Sequence, residues 1–186
     1  MVRMVRVGIA VLALLFLALP AAAQDDFPRI EMSMGYANLG LPCCSGTIGE
    51  SSRHSGFSTT QGFNLTRVLG IENYFGYYGL GGKDTLGSNV SLMTNLFGAK
   101  LAARTERAIP YFTAGIGIGY LTDEVSFGQS SLATKWGPGV DIRINEGMSF
   151  KVDFTKISLH QQFSPTGGSW SSGWNLSTGI TFSLTN

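Results

Sequence analysis

Hydrophobic and polar residues alternate strictly along several segments of this chain. In residues 110–121, PYFTAGIGIGYL, every second residue from Phe112 to Tyr120 is apolar, and the positions between them are polar or glycine. A repeat of two residues is typical of a β-strand with one apolar face. Seven further segments are predicted as strands: 29–39, 57–66, 70–79, 90–102, 132–144, 148–156 and 174–184. Segment 90–102 is apolar on both phases, which leaves its outward face open.

The lengths of these strands and of their connections indicate a membrane barrel. Strands of soluble proteins usually run about five or six residues, whereas a tilted membrane-spanning strand needs about 9–11. The connections after the first, third, fifth and seventh strands are long, roughly 40–56, 80–89, 121–130 and 160–172, and the others are short. Outer-membrane barrels have such loops outside and tight turns in the periplasm. The sequence therefore predicts an all-β fold, an eight-stranded antiparallel up-and-down transmembrane β-barrel.

Aromatic residues on the apolar phase provide a second test of this fold. Spanning barrels carry aromatic girdles at both membrane interfaces. The predicted lipid-interface aromatics are Tyr77, Tyr120, Trp136 and Trp174 toward the outer end and Phe112, Phe150 and Phe182 toward the inner end. Glycines on the other phase face a narrow lumen, which eight strands leave filled by side chains. Pro138 lacks an N–H donor, so we expect a β-bulge between Gly137 and Gly139.

The first residues have the features of a secretory signal. Arg3 and Arg6 precede an apolar run and the small residues Ala21, Ala22 and Ala23. This order predicts a cleaved signal peptide over 1–23 and a barrel domain over 24–186. An uncleaved membrane anchor is the alternative, because the apolar run approaches the roughly 18 residues of a spanning helix.

The composition of the chain argues against some classes of function. Charged residues make up 13% of the chain and glycine contributes 25 residues, whereas soluble domains carry about 25% charge. Without Arg3 and Arg6, acidic residues outnumber basic residues by one, so no basic field predicts nucleic-acid binding. Cys43 and Cys44 are adjacent, which disfavours an ordinary disulfide between them and does not fit a metal or redox motif.

Charged residues on the inward phase form the main candidate site. They are Glu31, Glu72, Lys135, Asp141, Arg143, Lys151 and Asp153. A buried charge must be paired or hydrated, because desolvating it alone costs several kcal/mol. The set predicts either a salt-bridge network that fixes strand register or a gate whose charges select ions.

The chain resembles the small outer-membrane β-barrel proteins that include the OmpA transmembrane domain, the OmpX-like proteins and the opacity-type porins. The resemblance rests on IEMSMGYANL, ARTERAIPYFTAGIGIGY, GPGVDIRI and GWNLSTGITFSL, and it spans about residues 28–186. It implies the bacterial outer membrane, with lipid and lipopolysaccharide as surroundings. It also implies the barrel-assembly machinery as a partner, for which Phe182 is the nearest candidate signal.

Catalysis is the alternative class, because some eight-stranded barrels modify lipid A. Such an enzyme needs a histidine beside a nucleophile or acid near the outer rim. The candidates are His54 in the first long loop and His160, two residues after Ser158. The lipid A deacylase barrels have the order His-x-Ser, and this chain has Ser-x-His. We therefore predict no catalytic residues, no cofactor and no metal site.

The predicted function is a non-enzymatic outer-membrane protein with a structural or surface-interaction role. Loops on a rigid scaffold commonly carry binding, so the connections 40–56 and 160–172 are the candidate sites for an extracellular ligand. A narrow, low-conductance pore is one alternative. A soluble lipocalin-like barrel is another, and it would need an apolar interior and a polar exterior.

Overall fold

The computed structural model describes residues 27–41, 52–83, 89–123, 129–161 and 168–184. Every regular element in these residues is a β-strand. The strands are β1 (Ile30–Leu41), β2 (Ser52–Asn64), β3 (Leu69–Lys83), β4 (Asn89–Ala102), β5 (Ala108–Asp123), β6 (Gln129–Asn145), β7 (Met148–Gln161) and β8 (Ser169–Ser183). Among the described residues, no helix is long and apolar enough to cross a membrane.

The strands close into one barrel, as predicted. Each pairs antiparallel with its neighbours in sequence, and β8 pairs with β1. Closure leaves no strand edge unpaired, which hydrocarbon demands because it offers the backbone no hydrogen bonds. Following paired residues once around the wall from Ile30 leads back to β1 at Gly40, ten residues farther along. This stagger tilts the strands against the barrel axis, so paired residues lie at different depths.

The strands run farther toward the extracellular side than the sequence indicates. They contain 12 to 17 residues. The predicted long connections 80–89 and 121–130 were wrong in extent, because only 84–88 and 124–128 lie between strands there. Small and polar residues in these stretches suggest loops, yet strand pairing resumes at Lys83–Asn89 after a register shift and extends to Leu121–Gln129. The turns 65–68, 103–107 and 146–147 at the other end are short, as expected.

The outer surface of the barrel is mainly apolar. Met34, Phe97 and Ile118 are 63%, 65% and 59% exposed, and the alternate residues face inward. Phe97 and Leu101 point outward, which identifies the outward face of segment 90–102 that the sequence left undecided. Glycine makes room inside: a Cβ on Gly139 would collide with the Tyr111 ring.

Pro138 is accommodated without the predicted bulge. The β5–β6 register runs unbroken through Phe112 and Pro138. The β6–β7 register is the same on both sides of the proline, at Trp136–Lys156 and Gly139–Asp153. Gly137 has a φ of 154°, a conformation that residues with side chains rarely adopt. Gly137 thus absorbs the local distortion, and no residue is inserted.

Candidate functional site

The periplasmic half of the barrel interior holds a buried, charged cluster. Its members are the carboxylates Glu31, Glu72, Asp141 and Asp153 and the cations Lys100, Arg104, Lys135 and Lys151, each less than 10% exposed. Six of the seven sequence-predicted lumen residues belong to this set. The four negative charges balance the four positive ones, as burial requires. We call these eight residues the lumen charge cluster.

Lys100 joins two carboxylates near the periplasmic end. Its Nζ lies 3.1 Å from Glu31 Oε2 and 3.1 Å from Asp141 Oδ2. Arg104 places Nη1 2.9 Å from the second oxygen of Glu31. The Thr181 hydroxyl donates to the other Asp141 oxygen at 3.4 Å. Strands β1, β4, β6 and β8 are therefore linked across the lumen by charge-assisted hydrogen bonds.

Two further ion pairs lie deeper in the barrel. Lys135 Nζ is 3.4 Å from Glu72 Oε1, which also accepts a hydrogen bond from the Thr113 hydroxyl. The Lys135 ammonium sits 4.0 Å from the centre of the Tyr74 ring, a cation–π contact. Lys135 is only 2% exposed, so Glu72 and this ring replace the water that it lost.

Lys151 and Asp153 form the remaining pair, on the same strand. Their Nζ and Oδ2 atoms are 3.7 Å apart. The Tyr111 hydroxyl donates to Asp153 Oδ1, and the Ser177 hydroxyl donates to Oδ2 at 3.2 Å. The Tyr111 ring also lies 4.3 Å from Lys100 Nζ and 5.0 Å from Lys151 Nζ. One aromatic ring thus contacts two of the buried cations.

Arg143 is not part of this cluster, and its predicted position in the lumen network was wrong. It is exposed near the last residues of β6, beside the 146–147 turn. Its backbone N–H donates to Arg107 O in the neighbouring turn. The residue has the inward phase, but the strand has left the buried part of the wall there. The alternation of apolar and polar residues shows which face of the strand a side chain occupies, but not how deep in the barrel it lies.

Lys100 and Arg104 were missed by the sequence analysis. Lys100 lies in the segment whose outward face was left open, and its charge was the available signal, because a lysine in mid-strand belongs in the lumen. Arg104 lies in a periplasmic turn, where an arginine is expected to face water. Only the folded barrel shows that it reaches back to Glu31.

Residues 27–29, just before β1, pack against the periplasmic end of the barrel. Phe27 is 8% exposed, and its ring lies 5.7 Å from the Arg104 guanidinium carbon. The Asn64 side chain donates to Pro28 O at 2.7 Å, and its backbone N–H donates to Arg29 O at 2.8 Å. These contacts tie the segment to the end of β2 and hold Phe27 beside the charge cluster.

The extracellular half of the interior is mainly apolar, with His54 as a buried polar side chain beside Leu39. Its buried cluster contains Ala37, Leu39, Leu41, Tyr74, Tyr78, Leu80, Leu92, Leu96, Ala133, Ile157 and Leu159. We call these residues the apolar plug. Leu39, Leu92 and Leu159 are fully buried, although they line what would be the channel. Constrictions of this kind exclude water and ions by dewetting.

A polar layer joins the two halves. The Tyr74 and Tyr78 hydroxyls are 2.6 Å apart, and Tyr78 donates to Asn175 Oδ1 at 3.0 Å. The Asn175 amide nitrogen donates in turn to the Thr155 hydroxyl at 3.3 Å. The tyrosine rings pack with the apolar plug. Their hydroxyls are satisfied within the layer, so it needs no water.

The seven predicted interface aromatics are all exposed on the outer surface, at 36% to 48%. Trp136 connects the two groups expected. Trp136 was predicted at the outer end, yet its ring is 6.5 Å from Phe112 of the inner group and 6.2 Å from Trp174. Strand stagger explains this difference, because Trp136 pairs with Ala114, two residues from Phe112.

The candidate catalytic histidines are far from a catalytic arrangement. His54 lies in β2 and not in a loop, faces inward at 3% exposure, and its Nε2 has no hydrogen-bond partner among the described residues. His160 faces outward and packs on Trp170 with ring centres 5.0 Å apart. In the described part of the chain, no hydrogen bond joins it to Ser158.

The described residues also contain no group of three or more His, Cys, Asp or Glu that could hold a metal ion. Parts of the two candidate ligand loops belong to strands, namely 40–41, 52–56, 160–161 and 169–172. Cys43, Cys44 and the central parts of both loops lie outside the described residues, as does the predicted signal peptide.

The fold and this interior can be compared with known proteins. A family model described as "Outer membrane protein beta-barrel domain" matches residues 9–182. No curated protein sequence matches the chain.

Solved structures of small barrels match closely in shape and weakly in sequence. Neisserial surface protein A has a TM-score of 0.68 at 16% identity, over 83% of this chain and 97% of that one. OprG from Pseudomonas aeruginosa has 0.56 at 13%, over 84% and 96%. The attachment invasion locus protein of Yersinia pestis has 0.54 at 15%, over 84% and 100%. Sequence identities this low show a shared fold and do not show a shared function.

Proposed function

The chain belongs to the family of outer-membrane protein β-barrel domains, and on that premise we propose that it is a sealed, non-enzymatic barrel that acts through its surfaces. Membership places it in the bacterial outer membrane. The proposal goes further in two respects: the lumen does not conduct, and the role is structural or one of surface interaction. The observation that carries it is the apolar plug, whose leucines are buried where a pore would hold water.

The charge cluster does not restore a pore. Its ion pairs lie in the periplasmic half, and an ion leaving them toward the cell exterior would meet Leu39, Leu92 and Leu159. Such an ion would lose its hydration without gaining a partner, which costs several kcal/mol. The charges are also paired with one another, which favours a register-fixing role over ion selection.

Planar-bilayer recording tests the seal. We expect the purified protein to produce no discrete conductance steps. A variant with Leu92→Ser and Leu159→Ser keeps the charge cluster and hydrates the plug, and we expect it to conduct. Stable single-channel steps from the unmodified protein would refute the sealed-barrel proposal and establish the narrow pore in its place.

The surface role is tested on cells. The attachment invasion locus protein of Yersinia pestis carries attachment in its name, and adherence is the activity we propose here. Cells that display the chain should adhere to a host-cell monolayer, and replacing residues 43–50 and 163–167 with short turns should reduce adherence. Both proteins must shift on boiling in a gel, which shows a folded barrel. Equal adherence with and without these residues would contradict this role.

A further inference from the structure

One wall of the barrel presents side-chain amides to the membrane. Gln61, Asn73 and Asn95 lie on β2, β3 and β4, on the outward phase of each strand. Asn95 is in the middle of its strand, and Asn73 pairs directly with Gln61. We call these three residues the amide face.

The amides are only partly satisfied within the chain. The Asn73 amide nitrogen donates to Asn95 Oδ1 at 2.8 Å. The Asn95 amide nitrogen and Asn73 Oδ1 form no further hydrogen bond with another described residue. Gln61 forms no side-chain hydrogen bond with any other described residue. Lipid tails provide neither donors nor acceptors, so these groups favour a protein partner over hydrocarbon.

Outward-facing carboxamides lie on one side of the barrel among the described strands. The remaining one is Asn38 on β1, which donates to the Tyr36 hydroxyl at 3.4 Å. On the far side, β7 and β8 present Lys156 and Thr178 among apolar side chains and no outward carboxamide in the described residues. The carboxamides are therefore grouped on β1 to β4, as a lateral contact would require.

We propose that the amide face is the contact surface for a second copy of this chain within the membrane. A carboxamide is both a donor and an acceptor, so the face is complementary to itself. It carries no charge, which disfavours a strongly charged partner. Two barrels with the same orientation are related by a two-fold axis along the membrane normal, and the same patch then serves both copies.

The shape of this wall supports the same pairing. An axis over Asn73 sets β4 of each copy against β2 of the other. Phe97, the most exposed of the large apolar residues on β4 at 65%, then faces a groove of about 300 Å³ beside Gln61. The groove is lined by Met32, Met34, Thr59 and Phe182 among others. A projecting ring and an apolar groove thus occur on opposite sides of one amide row.

Cross-linking in native membranes tests this contact. A photo-reactive amino acid replaces Phe97 in one strain and Phe154, on β7 at the far side of the barrel, in another. Both samples contain reductant, so that Cys43 and Cys44 cannot join copies. We expect a product of twice the chain mass from position 97 and none from position 154. A product with a different protein at position 97, or dimers equally from both positions, would overturn the proposal.

A variant that lacks the three amides measures their contribution to dimerisation. Gln61→Leu, Asn73→Leu and Asn95→Leu together leave an apolar outward surface, so the barrel should still shift on boiling. Each lost hydrogen bond is lost twice in a symmetric dimer. We therefore expect dimerisation in detergent micelles, measured by sedimentation equilibrium, to weaken at least about tenfold. The control carries Val152→Leu, Phe154→Leu and Leu176→Ile, on β7 and β8 at the far side of the barrel, and should dimerise like the unmodified chain. Unchanged dimerisation of the amide variant, or a monomeric unmodified chain, would overturn the proposal.

Discussion

The two halves of the barrel interior lie within the same eight strands and are filled by opposite chemistry. The periplasmic half pairs four carboxylates with four cations, and the extracellular half packs leucines, isoleucine and tyrosine rings. Paired charges demand specific partners on specific strands, so they select one register. An apolar cluster tolerates small rearrangements but excludes water. The barrel thus combines an interior half that specifies its structure with one that seals it.

Because of this difference, we expect the two halves of the lumen to tolerate different kinds of substitution. Replacing a buried ion pair with apolar residues is often nearly neutral, whereas removing one partner is strongly destabilising. Large-to-small changes in an apolar cluster cost energy in proportion to the cavity they leave. The substitutions below test the contrast, in order of expected effect on the free energy of unfolding, measured by urea titration in lipid vesicles.

A charge in the apolar plug should have the largest effect. Leu159→Asp places a carboxylate among the buried side chains of the apolar plug, which contains no lysine or arginine, and we expect it to lower the free energy of unfolding by more than about 5 kcal/mol. Leu159→Met, which nearly conserves volume, should cost less than about 1.5 kcal/mol. If Leu159→Asp folds with normal stability, the extracellular half is hydrated and the contrast fails.

Breaking one ion pair in the charged half should rank second. Glu72→Gln leaves Lys135 buried without its carboxylate, so we expect a loss of about 3–5 kcal/mol. Adding Lys135→Met removes the orphaned charge and should restore most of that loss. Glu146→Gln, in the exposed turn before β7, is the matched control and should be nearly silent. A double variant no better than Glu72→Gln would show that the pair is not the source of the effect.

Removing a single methylene group from the apolar plug should have the third-largest effect on the free energy of unfolding. Ile157→Val leaves a small cavity among fully buried residues, and we expect a cost of about 1 kcal/mol. Ile118→Val makes the same chemical change on the lipid-facing surface, where no cavity forms, and should cost less. Equal losses at the two positions would indicate that the plug is loosely packed.

The exposed arginine should have the smallest effect. Arg143 has the inward phase but reaches water, so Arg143→Gln should change the free energy of unfolding by less than about 0.5 kcal/mol. Lys100→Gln, which removes the cation between Glu31 and Asp141, should cost several times more. Comparable losses would return Arg143 to the lumen charge cluster.

Alternation along the chain determined the strand number, the barrel class and the outward face of most strands. This holds because a spanning strand must present apolar side chains to lipid at every second position. The outward positions of Phe112, Ile118 and Trp174 were all readable this way. Inward position was equally readable for Glu72 and Asp153, because both lie on the phase opposite the apolar residues of their strands.

The depth of each side chain in the barrel, and the side chains that it contacts, depend on the tertiary structure alone. The stagger of ten residues around the wall sets which side chains share a level, and no local pattern encodes it. For that reason the ring of Trp136 contacts Phe112, Arg104 reaches Glu31 from a turn, and Arg143 lies outside the cluster. Leu41 and Leu80 were assigned to loops, and only the extended ladder brings them together as part of a seal.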